Sequence, residues 1–324
     1  MTNCHKEFGK LDGKISLSSD KKEDLRTSRD ALRKKIKKYF EETLNVKAPL
    51  FYGQGSYMMN TTINPLDDGE YDIDDGIYLE HMKQFDEEEW KTPATVHNWI
   101  VRAVDKHTSA KPINKGTCVR VKYTKSYHVD FPIYVKKDGE APKLAHLYKG
   151  WIESDPKEFT KWFNGQVKEK GDQLKRIVRY LKAWKDYKQG DIKLPSGMVL
   201  TVLVANNFVG DYPDRDDAAL VATAKGIYDT LSEEFSVKRP ISPFEELLED
   251  WSDTKEQNFL TKLNSLVNTG QKALDAASQS NAINEWKRMF GDNFPEGDPE
   301  GSKELSKAMK TEAPAIIGNH GRSA

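Results

Sequence analysis

Apolar residues first recur at helical spacing. Leu25, Leu32, Ile36, Tyr39 and Phe40 predict a helix over 21–44, with Ser19-Asp20 as its cap. Its other face is rich in Lys and Arg and reads as solvated. Residues 1–18 are polar without a clear period and read as a loose arm. The pattern then changes to a period of two. Leu50-Phe51-Tyr52 is a short apolar run, and Tyr71-Asp72-Ile73-Asp74 alternates before continuing into Gly76-Ile77-Tyr78-Leu79. Asn64-Pro65 and Asp67-Asp68-Gly69 mark the loop between them. The stretches 117–123 and 127–135 read as a strand hairpin, and Lys136-Lys137-Asp138-Gly139 then turns the chain. A helix over 92–106 carries Val96, Trp99, Ile100, Ala103 and Val104 on one face.

Beyond residue 150 the spacing is helical. Pro156 follows Ser154-Asp155 at a helix start, with Phe159, Trp162 and Phe163 as the apolar face. Residues 172–188 carry the stripe Leu174, Ile177, Val178, Leu181 and Trp184. A mostly buried helix follows Pro195-Ser196, and 216–235 and 255–278 are further candidates. Trp162, Trp184 and Trp286 sit at helical spacings expected of core residues. After Phe294 the chain is rich in Pro, Gly and charge and reads as a flexible tail. Strands early and helices late indicate an α+β fold, a small sheet with flanking helices followed by a helical lobe.

Charge narrows the partners. Lys and Arg number 50 against 51 Asp and Glu, a net charge of −1 over 324 residues. Without a global basic field, a small anion in a local pocket fits better than long nucleic acid. Two cysteines, Cys4 and Cys118, offer neither a disulfide framework nor a zinc spacing, which indicates a reduced, cytoplasmic protein. No apolar run approaches about 18 residues, so no membrane span is expected. The N-terminus lacks the apolar core of a signal peptide.

Candidate chemistry lies at residues 50–80 and at one later acid. On a strand, Asp72 and Asp74 share a face, roughly 6.6 Å apart along the chain. Two carboxylates so placed can grip two cations about 3.5–4 Å apart if one bridges. Asp130, an acid in the otherwise apolar run Val129-Asp130-Phe131-Pro132-Ile133, offers a third. Upstream, Gly53-Gln54-Gly55-Ser56 is a glycine turn whose backbone can approach a phosphate closely. If Ser56 opens a helix, its N–H, its hydroxyl and the helix dipole attract that phosphate, with Gln54 adding a polar contact.

In combination GQGSY, YDIDDGIYL and YHVDFPIYV resemble the polymerase β-like nucleotidyltransferases. Within that superfamily they look like the cGAS/DncV-like enzymes, which make cyclic oligonucleotide signals in bacterial anti-phage (CBASS) defence. The likeness continues through HLYKGWIESDPKEFTKWFN, RIVRYLKAWKDY and PSGMVLTVLVANNF, covering roughly residues 20 to 290. It implies a catalytic lobe over 19–150, with the long N-terminal helix spanning both lobes, and a helical lobe over 151–295. Residues 1–18 would be an arm, 296–324 a tail, and the active site would lie in the cleft between the lobes. It further implies that Asp72, Asp74 and Asp130 are catalytic and hold two Mg²⁺ ions, with Mn²⁺ able to substitute. Lys182 and Ser196 match positions that hold the triphosphate, and Arg120 is a further candidate nucleotide contact. The implied substrates are nucleoside triphosphates (ATP, GTP or both), and the product would be a cyclic dinucleotide or trinucleotide. In related systems a ubiquitin-ligase-like partner acts on the C-terminus, and a tail ending in Ala324 is compatible with that. Two other readings stand beside this one: a transferase adding nucleotides to RNA or protein, and a nucleotide-binding scaffold without catalysis. Asp75 faces away from Asp74 and is not expected to bind metal, and His128 reads as a packing or hydrogen-bonding residue.

Overall fold

Residues 2–18 are not a loose arm. In the structure, a computed structural model describing residues 2–65, 69–124, 126–190 and 192–297, α1 spans His5–Ile15. Phe8, Leu11 and Ile15 on one face of α1 are fully buried. The many lysines around them hide this period. The chain then enters α2, Ser19–Lys38, capped by the Ser18 hydroxyl, which accepts from the Lys21 N–H at 3.3 Å. A π-helical turn, Tyr39–Thr43, extends it. Leu25, Leu32, Ile36 and Phe40 of this segment join a core built with sheet residues. The long helix therefore backs the sheet, and it is α1 that enters the core of the helical lobe.

The sheet starts with β1, Leu50–Gln54, and a single helical turn, α3, Gly55–Met58. Next come β2, Tyr71–Tyr78, and α4, Pro93–Val104, which Thr92 caps with Pro93 in the first turn. Then follow β3, Ile113–Asn114; β4, Val119–Tyr123; β5, Tyr127–Phe131; β6, Ile133–Val135; β7, Lys143–His146; and β8, Gly150–Glu153. Their order is β3-β4-β5-β2-β6-β7-β8, with β1 also paired antiparallel to β2. The hairpin expected over 117–135 is present as β4 and β5. Pro132, which has no N–H to give a ladder, divides β5 from β6, and its carbonyl accepts from Ile77 at 2.8 Å. β5 and β6 both run parallel to β2. Alternation on β2 sends Ile73, Asp75 and Ile77 toward α2. Asp75 is fully buried there, and Arg33 of α2 donates to it through Nε at 2.6 Å and through Nη2.

The helical lobe begins with α5, Pro156–Lys170, whose cap Asp155 accepts from the Lys157 and Glu158 N–H groups. It continues through α6, Gln173–Lys188; α7, Gly197–Asn207; α8, Asp216–Glu233; α9, Asp253–Leu274; and α10, Gln279–Phe290. Its core gathers Phe8 of α1 edge-on to Tyr180 and Trp286, with ring centroids 5.0 and 4.8 Å apart. Trp184 and Trp286 are buried, and Trp162 packs at the margin. Among the described residues no helix is long and apolar enough to cross a membrane. The tail beyond Gly297, with Ala324, lies outside the described residues, as do Asp67 and Asp68.

Candidate active site

Strand register assembles the acids. β2 and β5 pair so that Asp72 stands beside His128 and Asp74 beside Asp130. Because side chains alternate, these four share one face as a two-by-two patch, while Ile73 and Val129 point into the core behind. Gln54, the last residue of β1, lies opposite Asp74 on the other edge of β2. The chain then leaves β1 through Gly55, at φ +70°, where a Cβ would stand 2.1 Å from Asp74 Oδ2. Glycine here both permits the turn and leaves room for the carboxylate.

The three acids of the patch floor a cleft of about 530 Å³ whose opposite wall is the helical lobe, with His128 buried just behind them. Asp72, Asp74, Asp130, Gln54, Gly55, Ser56 and Lys182 all line it. Lys182, on α6, is 8% exposed and donates to the Thr61 carbonyl at 3.0 Å and its hydroxyl at 3.2 Å. Burial pulls its pKa down to about 8, against the pull of Asp72. Burial likewise raises Asp74 well above the usual carboxylate range, and Asp72 and Asp130 push it further. Asp72 is raised too, by burial first, with His128 opposing and Asp130 adding.

Two expected nucleotide contacts are not among the residues that line the cleft. Arg120, paired with Asp130 across β4 and β5, is turned onto that carboxylate, with Nε donating to Oδ1 at 2.7 Å and Nη2 to Oδ2 at 2.6 Å. It does not line the cleft, because neutralising a buried neighbour holds it in place. Ser196 is the N-cap of α7, its hydroxyl accepting from Val199 N–H at 3.3 Å, and Gly197 and Met198 reach the cleft instead. The helix after Ser56 is also shorter than a dipole argument needs. It spans four residues, and the Ser56 hydroxyl shares a 2.8 Å hydrogen bond with that of Thr62. What the turn offers a phosphate is its backbone.

The cleft has members that sequence reasoning did not single out. Tyr134, whose hydroxyl accepts from Gln54 Nε2 at 3.1 Å, lies on the face its alternation on β6 dictates. Thr61, Lys185 and Arg239 arrive from loops and helices with no local signal. Arg239 comes from the segment between α8 and α9 and donates through Nε to Glu245 at 2.9 Å. Cys118, beside Asp130, has its thiol pushed up to about 12 by burial and by Asp130 and Asp74.

Among the described residues no three His, Cys, Asp or Glu side chains are already gathered to hold an ion. The donors nevertheless suit a hard cation: carboxylate oxygens on one concave face, whose mutual repulsion a divalent ion relieves.

Comparison with known proteins accounts for both lobes. Residues 49–134 match the family of cyclic GMP-AMP synthase DncV-like nucleotidyltransferase domains, and residues 171–298 match the cyclic GMP-AMP synthase C-terminal domain. The chain belongs to the DncV-like nucleotidyltransferases. Within this family it is 33% identical over 219 residues to a cyclic GMP-AMP synthase of Escherichia albertii, 65% of this chain and 47% of that protein. It is 24% identical over 150 residues to a cyclic AMP-AMP-AMP synthase of an Acinetobacter species, 45% of this chain and 44% of that protein. The chain thus spans about half the length of these curated relatives. The DncV-like fold is also seen in Vibrio cholerae DncV cyclic AMP-GMP synthase, solved with the linear intermediate 5′ pppA(3′,5′)pG. That structure has a TM-score of 0.79 at 21% identity, covering 91% of this chain and 97% of that one.

Proposed function

We propose that the protein is a divalent-metal-dependent nucleotidyltransferase that joins nucleoside triphosphates into a cyclic oligonucleotide. The observation that carries this reading is the convergence of Asp72, Asp74 and Asp130, from adjacent parallel strands, on one cleft with the Gly55-Ser56 turn and Lys182. In each linkage a ribose hydroxyl oxygen forms a bond to an α-phosphorus, the bond from that phosphorus to the bridging oxygen breaks, and pyrophosphate leaves. Closing the ring repeats this within the same cleft, after the linear intermediate has turned over.

Asp72, Asp74 and Asp130 would hold Mg²⁺, which when bound neutralises phosphate charge and lowers the pKa of the attacking hydroxyl. The chain's own residues supply alignment and charge. The backbone at Gly55 and Ser56 approaches the phosphates with no side chain between. Lys182, fixed by Thr61, presents an ammonium that an incoming triphosphate re-stabilises against burial. Arg120 donates to both oxygens of Asp130 and so fixes the orientation of that carboxylate. Tyr134, Leu144 and Phe159 give the cleft an apolar wall on which a base can pack. Lobe limits of 19–150 and 151–295, with α1 assigned to the second lobe, form part of the proposal, as does the anti-phage signalling role.

The relatives' names support purine triphosphates as substrates. One is a cyclic GMP-AMP synthase and another a cyclic AMP-AMP-AMP synthase, so a dinucleotide is the first expectation and a trinucleotide the alternative. Purified protein is incubated with labelled ATP and GTP and Mg²⁺, treated with phosphatase and chromatographed. A phosphatase-resistant product supports the proposal. A labelled polymer would mean a tailing enzyme, and no turnover with intact nucleotide binding would mean a scaffold.

A further inference from the structure

The catalytic face has four corners, and only three are acids. The fourth is His128, beside Asp72 on the ladder and two residues before Asp130. Its side chain is 6% exposed. Nδ1 lies 3.0 Å from Glu70 Oε2, and Lys122 Nζ holds the other Glu70 oxygen at 2.7 Å. A carboxylate is acceptor-only, so this contact puts the ring proton on Nδ1 and leaves Nε2 with a lone pair. That Nε2 is buried with no hydrogen-bond partner among the described residues. It points between Asp72 Oδ2 at 3.8 Å and Asp130 Oδ2 at 3.9 Å. A lone pair cannot bond to ionised carboxylate oxygens. Nε2 needs a donor there, and water on a cation bound by those carboxylates is such a donor. Both gaps exceed direct hydrogen-bonding distance, as a bridged contact requires.

We infer that His128 is a positioning residue for the metal: Nε2 accepts a hydrogen bond from a water on the ion held by Asp72 and Asp130. Lys122 and Glu70 fix the tautomer and aim of the ring. This rests on the metal-dependent reading above. Partners that orient a metal's immediate ligands commonly change affinity by about 10–100-fold.

The test uses the full chain with Mn²⁺ and a nonhydrolysable nucleoside triphosphate, so that binding is read without turnover. His128→Leu fills the space without an acceptor, and His128→Gln keeps a carbonyl oxygen at similar reach. Free Mn²⁺ measured by electron paramagnetic resonance should show about tenfold weaker binding for His128→Leu and recovery in His128→Gln. Nucleotide affinity without metal should stay unchanged in both. Electron spin-echo modulation on bound Mn²⁺ should detect a weak nitrogen coupling that disappears in His128→Leu. Unchanged Mn²⁺ affinity in His128→Leu overturns the inference. So does parallel loss of metal-free nucleotide binding, which marks a structural role, or a coupling strong enough for direct nitrogen ligation. Asp74→Asn is measured alongside. If it too binds Mn²⁺ like the parent, the carboxylate site itself is wrong, and the failure belongs to the proposed function.

Discussion

Replacing Gly55 by alanine separates the fold from the chemistry. At φ +70° a side chain costs about 1–2 kcal/mol in backbone conformation. The new Cβ would also stand 2.1 Å from Asp74 Oδ2, 3.1 Å from its Cγ and 3.4 Å from its Cβ. Restoring ordinary contact moves the carboxylate oxygen by about 1.3 Å. A carboxylate can rotate away at little cost to stability, so unfolding should shift by only a few degrees. The reaction tolerates this less well, since a displacement of about 1 Å can cost roughly 100-fold in rate, about 2.7 kcal/mol. Gly53→Ala is the control: its Cβ meets only the flexible Met58 side chain, with Sδ at 3.0 Å. Turnover of labelled triphosphate and thermal unfolding are measured on both variants. Gly55→Ala should lose about 100-fold in kcat/KM with a modest fall in Tm, while Gly53→Ala keeps most activity. A Gly55→Ala enzyme as fast as Gly53→Ala would refute the claim that the empty space at residue 55 serves Asp74.

Other expectations follow from burial and charge. Arg33→Leu leaves the Asp75 carboxylate buried alone and should destabilise the protein by about 3–5 kcal/mol in denaturant titration, with per-molecule activity retained. Lys182, with its pKa near 8, carries its charge below that pH, so KM for triphosphate should rise as pH passes through 8. Lys182→Met should abolish that dependence. The same depressed value lies below the ordinary 10.5, so the buried ammonium costs stability below pH 8 and the cost fades as pH rises. The stability gain of Lys182→Met over the parent should therefore shrink between pH 7 and 10. Phe8→Ala, in the aromatic core of the helical lobe, should cost about 3–5 kcal/mol by the same titration.

The sheet was legible because a period of two, once chosen, sets the face of every residue. Asp72, Asp74 and Ile73 needed no further information, and neither did the orientation of Asp75. Capping chemistry located α5 and α7 from Asp155-Pro156 and Ser196. What failed was what distance along the chain conceals. The stripe of α1 is only Phe8, Leu11 and Ile15 among charged neighbours, and its partners lie far downstream. The pairing of Arg120 was hidden because nothing local says that Asp130, across the hairpin, takes two of its three nitrogens. Arg239 and Thr61 enter the cleft through loop geometry that no periodicity encodes. His128 was read as a packing or hydrogen-bonding residue, and its contact with Glu70 agrees with the second, but only register shows that its other nitrogen faces two acids.

The docking of α1 bears on synthesis. Thr2 N–H donates to the carbonyl of Leu274 at 2.7 Å, and the Tyr180 hydroxyl donates to that of Phe8 at 3.0 Å. These partners lie up to some 270 residues downstream, so at ordinary translation rates roughly tens of seconds separate the emergence of α1 from that of its last binding groove. During that interval Phe8, Leu11 and Ile15 form a sticky segment on the nascent polypeptide, and the helical lobe cannot close until they return to it.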